Sequence, residues 1–420
     1  MSNLFLKQIK VCNVLYFVLC VLFANCTHTT RRVNGGDISV EDNGIKEIPV
    51  ISNLSKSERI NISTIASNID YCLLETDKNC LVTPGMSVYC AKDYVVTIGT
   101  DGPNHAVCYV FDRKTGKFVR QISRMGQGPE EYTGVVSSFW DGINEQVCVW
   151  NRSYYIFYNL DGVLSHKINF KSDWSALISY GNHYVGYVQN PLGKASVRIV
   201  FFDKTGSLID SIPNHRFWNR TQKSAGRSPD GRLYIFLDDL YYKDIYGDTL
   251  YYIKDFEIQP RYIFNTGGLA VPYEIQEGGR YDYEATLRGG EYDRYRQYVF
   301  ILEIIEDSKY LYFTVEYQKQ LYPALYDKTE DNLQIMSPIS IPPFGRDRRF
   351  PRYGFENDLD GGLPFWPQQM ISDKEMICVY TAEELLELDA SKITDEKLKH
   401  VLNSLEEDSN PVVAIVILKD

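Results

Sequence analysis

Tyr109-Val-Phe-Asp-Arg-Lys-Thr-Gly116 is the stretch that decides the fold. A run of strand-forming residues meets a short polar turn that closes on glycine. The same pattern returns as Ile156-Phe-Tyr-Asn-Leu-Asp-Gly162 and Ile199-Val-Phe-Phe-Asp-Lys-Thr-Gly206. Glycine supplies the positive φ that such hairpin turns need. The three glycines stand 46 and 44 residues apart, a period suited to one four-stranded blade of a propeller. Degenerate copies follow at Tyr252-Ile-Lys-Asp-Phe-Glu257 and Leu325-Tyr-Asp-Lys-Thr-Glu330. A second set of polar turns lies between them, at Ala91-Lys-Asp93, Trp140-Asp-Gly-Ile-Asn144, Tyr180-Gly-Asn182, Ser228-Pro-Asp-Gly231, Glu306-Asp-Ser308 and Ser372-Asp-Lys374. That makes six inner hairpins and five complete outer ones. The missing outer pair falls to the chain ends, with Val412–Leu418 expected to pair with the run from Ile69 to Glu75. A ring closed by both termini leaves no open sheet edge. The pattern therefore predicts an all-β, six-bladed β-propeller of four-stranded antiparallel blades. Helical insertions are expected within Pro272 to Tyr298 and Ala382 to Glu407.

Ahead of the ring, Lys7 and Lys10 precede an almost unbroken apolar run from Val11 to Ala24. The run is short for a bilayer span and fits the core of a signal peptide. Phe23-Ala24-Asn25-Cys26 resembles a bacterial lipobox, with Asn25 in place of the usual small residue, so Cys26 is expected to carry lipid and become the mature N-terminus. The organisation read from the chain is thus a signal peptide over 1–25, a lipidated Cys26 and flexible tether over 26–59, and the propeller over 60–420. Thr27-His-Thr-Thr-Arg-Arg32 lacks an acidic run after the cysteine, which points to an outer-membrane lipoprotein on the periplasmic side. Export allows disulfides, and Cys72 with Cys80 is the one pairing worth testing.

Composition narrows the partners. With 44 Lys plus Arg against 55 Asp plus Glu, no broad basic face is available for a phosphate backbone, so nucleic acid is not an expected partner. The 32 Tyr and 20 Phe suit cross-strand packing first. None of His28, His105, His166, His183, His215 and His400 lies in a metal-ligand motif, and no Gly-x-Ser-x-Gly nucleophile turn occurs.

In a four-stranded blade the two tight turns share one face and the longer connections share the other. Two connectors stand out. Ile122-Ser-Arg-Met-Gly-Gln-Gly-Pro-Glu-Glu-Tyr132 offers Gln127, Glu130 and Tyr132. The second runs from Phe344 to Pro367 and offers Arg346, Arg348, Asn357, Asp358, Asp360 and Trp366. Loops on a rigid scaffold are where binding groups gather. The Asn and Asp residues offer oxygen ligands for calcium, although the remaining ligands of a calcium loop are missing; turn capping or pairing with arginine is the competing reading. Trp366 reads either as a sugar platform or as core. No cofactor is required.

Gly116 to Tyr132, Asn357-Asp-Leu-Asp-Gly-Gly-Leu-Pro-Phe-Trp-Pro367 and Asn410-Pro-Val-Val-Ala-Ile-Val-Ile-Leu-Lys419 resemble the six-bladed β-propeller lipoproteins of Bacteroidetes, which are similar to TolB-like and NHL-type propellers. The resemblance implies fold and envelope location and carries over no catalytic residue. The leading expectation is a membrane-anchored, non-catalytic module that binds a glycan, peptide or envelope protein. The alternatives are a propeller hydrolase, lactonase or lyase that joins Asn357, Asp358, Asp360 and Glu130 at the channel mouth, and a structural assembly module.

Overall fold

The computed structural model describes residues 45–419 apart from 84, 103–104, 123–124, 129, 133, 136, 152, 171–175, 191–192, 216, 218–230, 273–295 and 342–350. The signal segment and Cys26 lie outside the described residues. The body begins before Ile60. Strand β1 (Lys46–Ile48) and helix α1 (Val50–Leu54) come first, then β2 (Ala66–Leu73). Blade 1 follows as β3 (Ser87–Cys90), β4 (Tyr94–Gly102), β5 (His105–Asp112) and β6 (Phe118–Ile122). Blade 2 is β7 (Ser137–Asp141), β8 (Gln146–Trp150), β9 (Tyr155–Asn159) and β10 (Leu164–Ile168). Blade 3 is β11 (Ala176–Tyr180), β12 (His183–Tyr187), β13 (Val197–Phe202) and β14 (Leu208–Pro213). Blade 4 is β15 (Gly231–Phe236), β16 (Asp239–Asp244), β17 (Thr249–Lys254) and β18 (Glu257–Phe264). Blade 5 is β19 (Phe300–Glu306), β20 (Tyr310–Tyr317), β21 (Gln320–Asp327) and β22 (Asn332–Ile335), with β23 (Ile339–Ser340) also paired to β21. Blade 6 joins β24 (Gln369–Ser372), β25 (Glu375–Tyr380) and β26 (Val412–Leu418) to β2.

The six-bladed, all-β ring is thus as the repeat predicts, including its closure. Strand β2 runs antiparallel to β26 from Ala66↔Leu418 to Leu73↔Val412, so the outermost strand of the last blade comes from the start of the chain. The cores lie between blades. Val147, Val149 and Ile156 of blade 2 pack on Val96, Cys108 and Val110 of blade 1, and equivalent clusters recur around the ring. Burial of strand faces that are apolar on both sides drives the stacking.

Three expectations need correction. Residues 46–62 are not a free tether: β1 adds in parallel to β18 (Ile48↔Phe264), Val50 and Leu54 of α1 are buried beside Phe264 and Phe313, and Glu58 and Asn61 bridge to Met336 and Glu356. This strap runs along the rims of blades 4 and 5 before it enters blade 6. The fourth inner hairpin turns at Leu237-Asp238, not at Ser228 to Gly231; Gly231 already begins β15. Both turn residues have positive φ (48° and 64°), the mirror-image two-residue turn that twisted strands favour, here built without glycine. The expected helix from Ala382 to Glu407 is two short helices, α2 (Ala382–Leu386) and α3 (Glu396–Asn403), split by a 3-10 turn at Ala390–Lys392. Thr381 and Glu384 form a capping box on α2, and Asp389 and Asp395 cap the next two starts, so local side-chain bonds break the run. The segment from Pro272 to Tyr298 lies largely outside the described residues.

Candidate functional site

The connector from Ile122 to Tyr132 is a rivet between blades 1 and 2. Gly126 N–H donates to the Tyr132 carbonyl (3.0 Å), and Glu131 accepts from Gly128 N–H (2.8 Å), filling the space a Cβ on Gly126 would need. Tyr132 is 1% exposed and its hydroxyl donates to the Ala106 carbonyl (2.8 Å). Tyr158 donates to the Glu130 carbonyl (2.7 Å), leaving the side chains of Glu130 and Gln127 in solvent.

The second connector is equally structural where it is described. Asp358 accepts from the Ser63 N–H (3.0 Å) and hydroxyl (2.5 Å) at the outer rim of blade 6. Asp360 is buried and accepts from the Tyr71 hydroxyl and the Gly362 N–H, both at 2.7 Å. Burial pushes the Asp360 carboxyl above the usual range, against those two hydrogen bonds. Asn357 accepts from the Asp360 N–H. Trp366 is core: it stacks on Phe355 (6.2 Å, 25°) and meets Tyr312 edge-on (6.3 Å, 78°). Arg346 and Arg348 lie outside the described residues. The structure therefore brings Asn357 and Asp360 together at one turn, near Asp358, and separates them from Glu130 and Trp366. Among the described residues no group of three or more His, Cys, Asp or Glu side chains is placed to hold a metal ion. Cys72 and Cys80 are free, buried thiols; Cys80 donates to the Glu75 carbonyl (3.3 Å).

Concavity lies instead on the tight-turn face, where the innermost strands β3, β7, β11, β15, β19 and β24 end around the axis. Two adjoining cavities of 590 and 580 Å³ open there, both walled by Trp140, Tyr234, Ile235 and Met370. Trp140 is half-buried and stacks on Tyr89 (6.3 Å, 26°), and Tyr234 stacks on Tyr241 (5.2 Å, 24°). Polar ties at the strand ends lock these walls. Arg113 donates to Glu375 (2.8 Å) and to the Lys92 carbonyl (3.2 Å), joining blade 1 to blade 6. The Gln369 side chain pairs with both backbone groups of Cys90 (2.9 and 3.0 Å) across the same boundary. Buried Asp141 accepts from Ser179 (2.6 Å) and Asn144 (2.8 Å), joining blades 2 and 3.

Glu306 accepts hydrogen bonds from three side chains. Arg261 reaches it as a fork (2.6 and 3.0 Å), Lys328 at 3.0 Å and the Tyr234 hydroxyl at 2.8 Å. Its side chain is 0% exposed. Burial alone would lower the Arg261 pKa, but hydrogen bonding and charge from Glu306 outweigh it and hold the guanidinium above its ordinary value. Burial pushes the Tyr234 phenol far up, so it serves as a neutral donor.

Sequence reading missed this cleft for a definable reason. Placing the fourth inner turn at Ser228 to Gly231 put Arg232–Phe236 in the second strand of its blade, away from the axis. Trp140 and Asp141 were visible, but as turn residues.

A ring of six four-stranded blades, closed by its two ends and hollowed on the tight-turn face of its axis, defines a six-bladed β-propeller with an axial cleft. The chain belongs to the family described as "Domain of unknown function (DUF4934)", which matches residues 45–417. No curated protein matches it. Among solved structures it is similar to a protein of Bacteroides fragilis NCTC 9343 described as exported, at 18% identity and a TM-score of 0.63, over 89% of this chain and 99% of that one. A member of the DUF4221 family from Bacteroides vulgatus aligns at 11% identity and a TM-score of 0.49, over 84% of this chain and 97% of that one. Among the described residues no helix is long and apolar enough to cross a membrane.

Proposed function

We propose that this is an exported, lipid-anchored propeller of the cell envelope that binds a glycan, peptide or envelope partner in its axial cleft without transforming it. The observation that carries the reading is the cleft itself: an aromatic-walled concavity whose buried or half-buried acidic side chains Glu306, Asp141 and Glu375 are engaged in ties between or within blades. Glu306 serves Arg261, Lys328 and Tyr234, Asp141 serves Ser179 and Asn144, and Glu375 serves Arg113. A general acid or base needs a free oxygen aimed at the reacting atom; Glu306 and Asp141 commit both oxygens to the scaffold, and Glu375 commits one to Arg113. The half-buried Trp140 face offers the apolar platform that ligand pockets use. Placement in the envelope rests on the apolar run from Val11 to Ala24 ending at Cys26.

The test is a glycan and envelope-peptide array read with the wild-type chain and Trp140→Ala. Removing one aromatic platform is expected to weaken a true ligand by about 10-fold or more. A ligand set indifferent to Trp140→Ala would place binding elsewhere. Labelling with a tagged palmitate, lost in Cys26→Ala, tests the anchor.

A further inference from the structure

At the floor of the cleft stands a cation with no partner among the described residues. Arg232, the second residue of β15, lines the 580 Å³ cavity together with Tyr89, Trp140 and Tyr234. It also lines a smaller cavity of 210 Å³ on the opposite side, with Glu303, Tyr353 and Gln368, so it sits where the two meet. The side chain is open to channel water but ringed by protein, and it makes no hydrogen bond or ion pair to a described residue. Glu303 is the nearest counter-charge that acts on it. That carboxylate accepts from Tyr353 (2.8 Å) and stays outside ion-pair distance. Loss of bulk water lowers the Arg232 pKa below the ordinary guanidinium value, against the field of Glu303, Tyr234 and Tyr89; an arginine remains charged even so.

The contrast with the other arginines at this face is informative. Arg113 and Arg261 are each paired with a carboxylate. Arg232 keeps its planar set of donors for something else, and a guanidinium fork matches a carboxylate held side-on. The rest of the lining limits what carries that carboxylate. With Glu375 neutralised by Arg113, the mouth carries Glu145, Asp238 and Asp373 against Lys92, so the rim is acidic on balance and would repel a polyanion more than a ligand with one buried negative charge and many hydroxyl donors. Tyr89, Trp140 and Tyr234 line the cavity, and aromatic rings suit the C–H face of a pyranose. A volume of 580 Å³ lies within the roughly 300–1,000 Å³ of small-ligand sites.

We propose that Arg232 is the specificity residue of the axial cleft and that the ligand is an acidic sugar, a uronic acid within a glycan. The sugar carboxylate takes the guanidinium fork, and its ring rests against the Trp140 and Tyr89 wall. This rests on the binding role proposed above for the same cleft.

The test measures binding of the full-length chain, by calorimetry, to a glucuronic acid–glucose disaccharide, to the all-glucose disaccharide, and to an acidic tripeptide with a free C-terminal carboxylate. The acidic disaccharide should bind about 10- to 100-fold more tightly than the neutral one, the worth of a hydrogen-bonded charge in a sheltered site. Arg232→Gln should bring the two to equal affinity, Arg232→Lys should keep part of the preference, and Trp140→Ala should weaken both disaccharides together. Unshifted thermal melts would show that the variants are folded. Equal affinity for the two disaccharides in wild type, a preference that survives Arg232→Gln, or preferred binding of the peptide would overturn the inference. A ligand sensitive to Trp140→Ala but indifferent to Arg232→Gln would do the same while leaving the cleft as the binding site. A ligand indifferent to both would remove the cleft as well.

Discussion

Removal of the Glu306 carboxylate is expected to loosen the joint between blades 4 and 5 more than any other single change at the cleft. In Glu306→Ala the Arg261 fork, Lys328 and the Tyr234 hydroxyl lose their acceptor at once. The two cations are left 20% and 11% exposed, too buried for water to replace the lost partner fully. Breaking a buried ion pair by deleting one member typically costs about 3–5 kcal/mol, because an uncompensated charge remains. An unfolding entropy of ~2.1 cal/mol/K per residue, over roughly 370 residues that melt as one ring, turns that into a fall in Tm of about 4–6 °C. Calorimetry at pH 7 reads the shift, and urea unfolding followed by tryptophan fluorescence checks the free energy. The triple change Glu306→Leu, Arg261→Met and Lys328→Met removes all three charges and should cost less than Glu306→Ala alone, since replacing a buried ionic group by apolar side chains is often neutral. A fall below about 1 °C for Glu306→Ala, or a triple variant worse than the single one, would refute the view that uncompensated charge sets the cost.

Two turn glycines that look alike in sequence should behave differently. Gly116 and Gly162 both have positive φ (70° and 84°), and alanine at either pays about 1–2 kcal/mol for the left-handed conformation. A Cβ on Gly116 would stand 1.8 Å from the Leu73 carbonyl of the closing strand, whereas one on Gly162 meets nothing within 4 Å, so Gly116→Ala should show the larger drop in urea midpoint. Equal midpoints would mean that the closing strand is not seated on that turn. At low pH the Arg352–Glu384 pair should fail. Burial raises the Glu384 pKa, but hydrogen bonds from Arg352 and Thr381 outweigh it, so the folded value lies below the ordinary one. The pair's stabilisation is therefore complete above the unfolded carboxylate value near ~4.3 and is lost as pH falls through the lower folded value. Melts in steps from pH 6 to pH 3 should show a shallower loss in Glu384→Gln than in wild type; parallel curves would rule the linkage out.

The ring was legible because its signal is redundant. Each outer turn had a glycine or its degenerate substitute at a fixed place, and the closure of β26 on β2 followed from counting hairpins. The strap from Lys46 to Asn61 was not legible, since three residues in parallel on β18 and two isolated bridges leave almost no periodicity. A composition rich in polar residues and glycine reads as a tether, and the burial of Val50 and Leu54 comes from the surface of blades 4 and 5, not from their own spacing.

The site was harder for a deeper reason. The glycines, proline and carboxylates of the connectors are conspicuous because they build sharp turns, and the structure uses Glu131 and Asp360 within those turns and Tyr132 and Asp358 to tie them to Ala106 and Ser63. Residues facing the axis carry no such mark. Arg232 sits in an ordinary alternating strand, Gly-Arg-Leu-Tyr-Ile-Phe, and its significance depends on six blades bringing six inner strands around one channel. What separates it from Arg261, also on a strand of blade 4, is only which neighbour the ring supplies: Glu306 meets Arg261 at 2.6 Å, while Glu303, three residues earlier on the same strand, is held by Tyr353 and does not reach Arg232. Glu303 has a positive φ of 51° within a break of register in β19 between Leu302 and Ile305, and this irregularity accompanies the offset that leaves one carboxylate paired with its arginine and the other apart. A cation at the axis without a partner among the described residues is therefore a property of the assembled ring, and it can be recognised only after the partners of the other arginines at the cleft have been assigned.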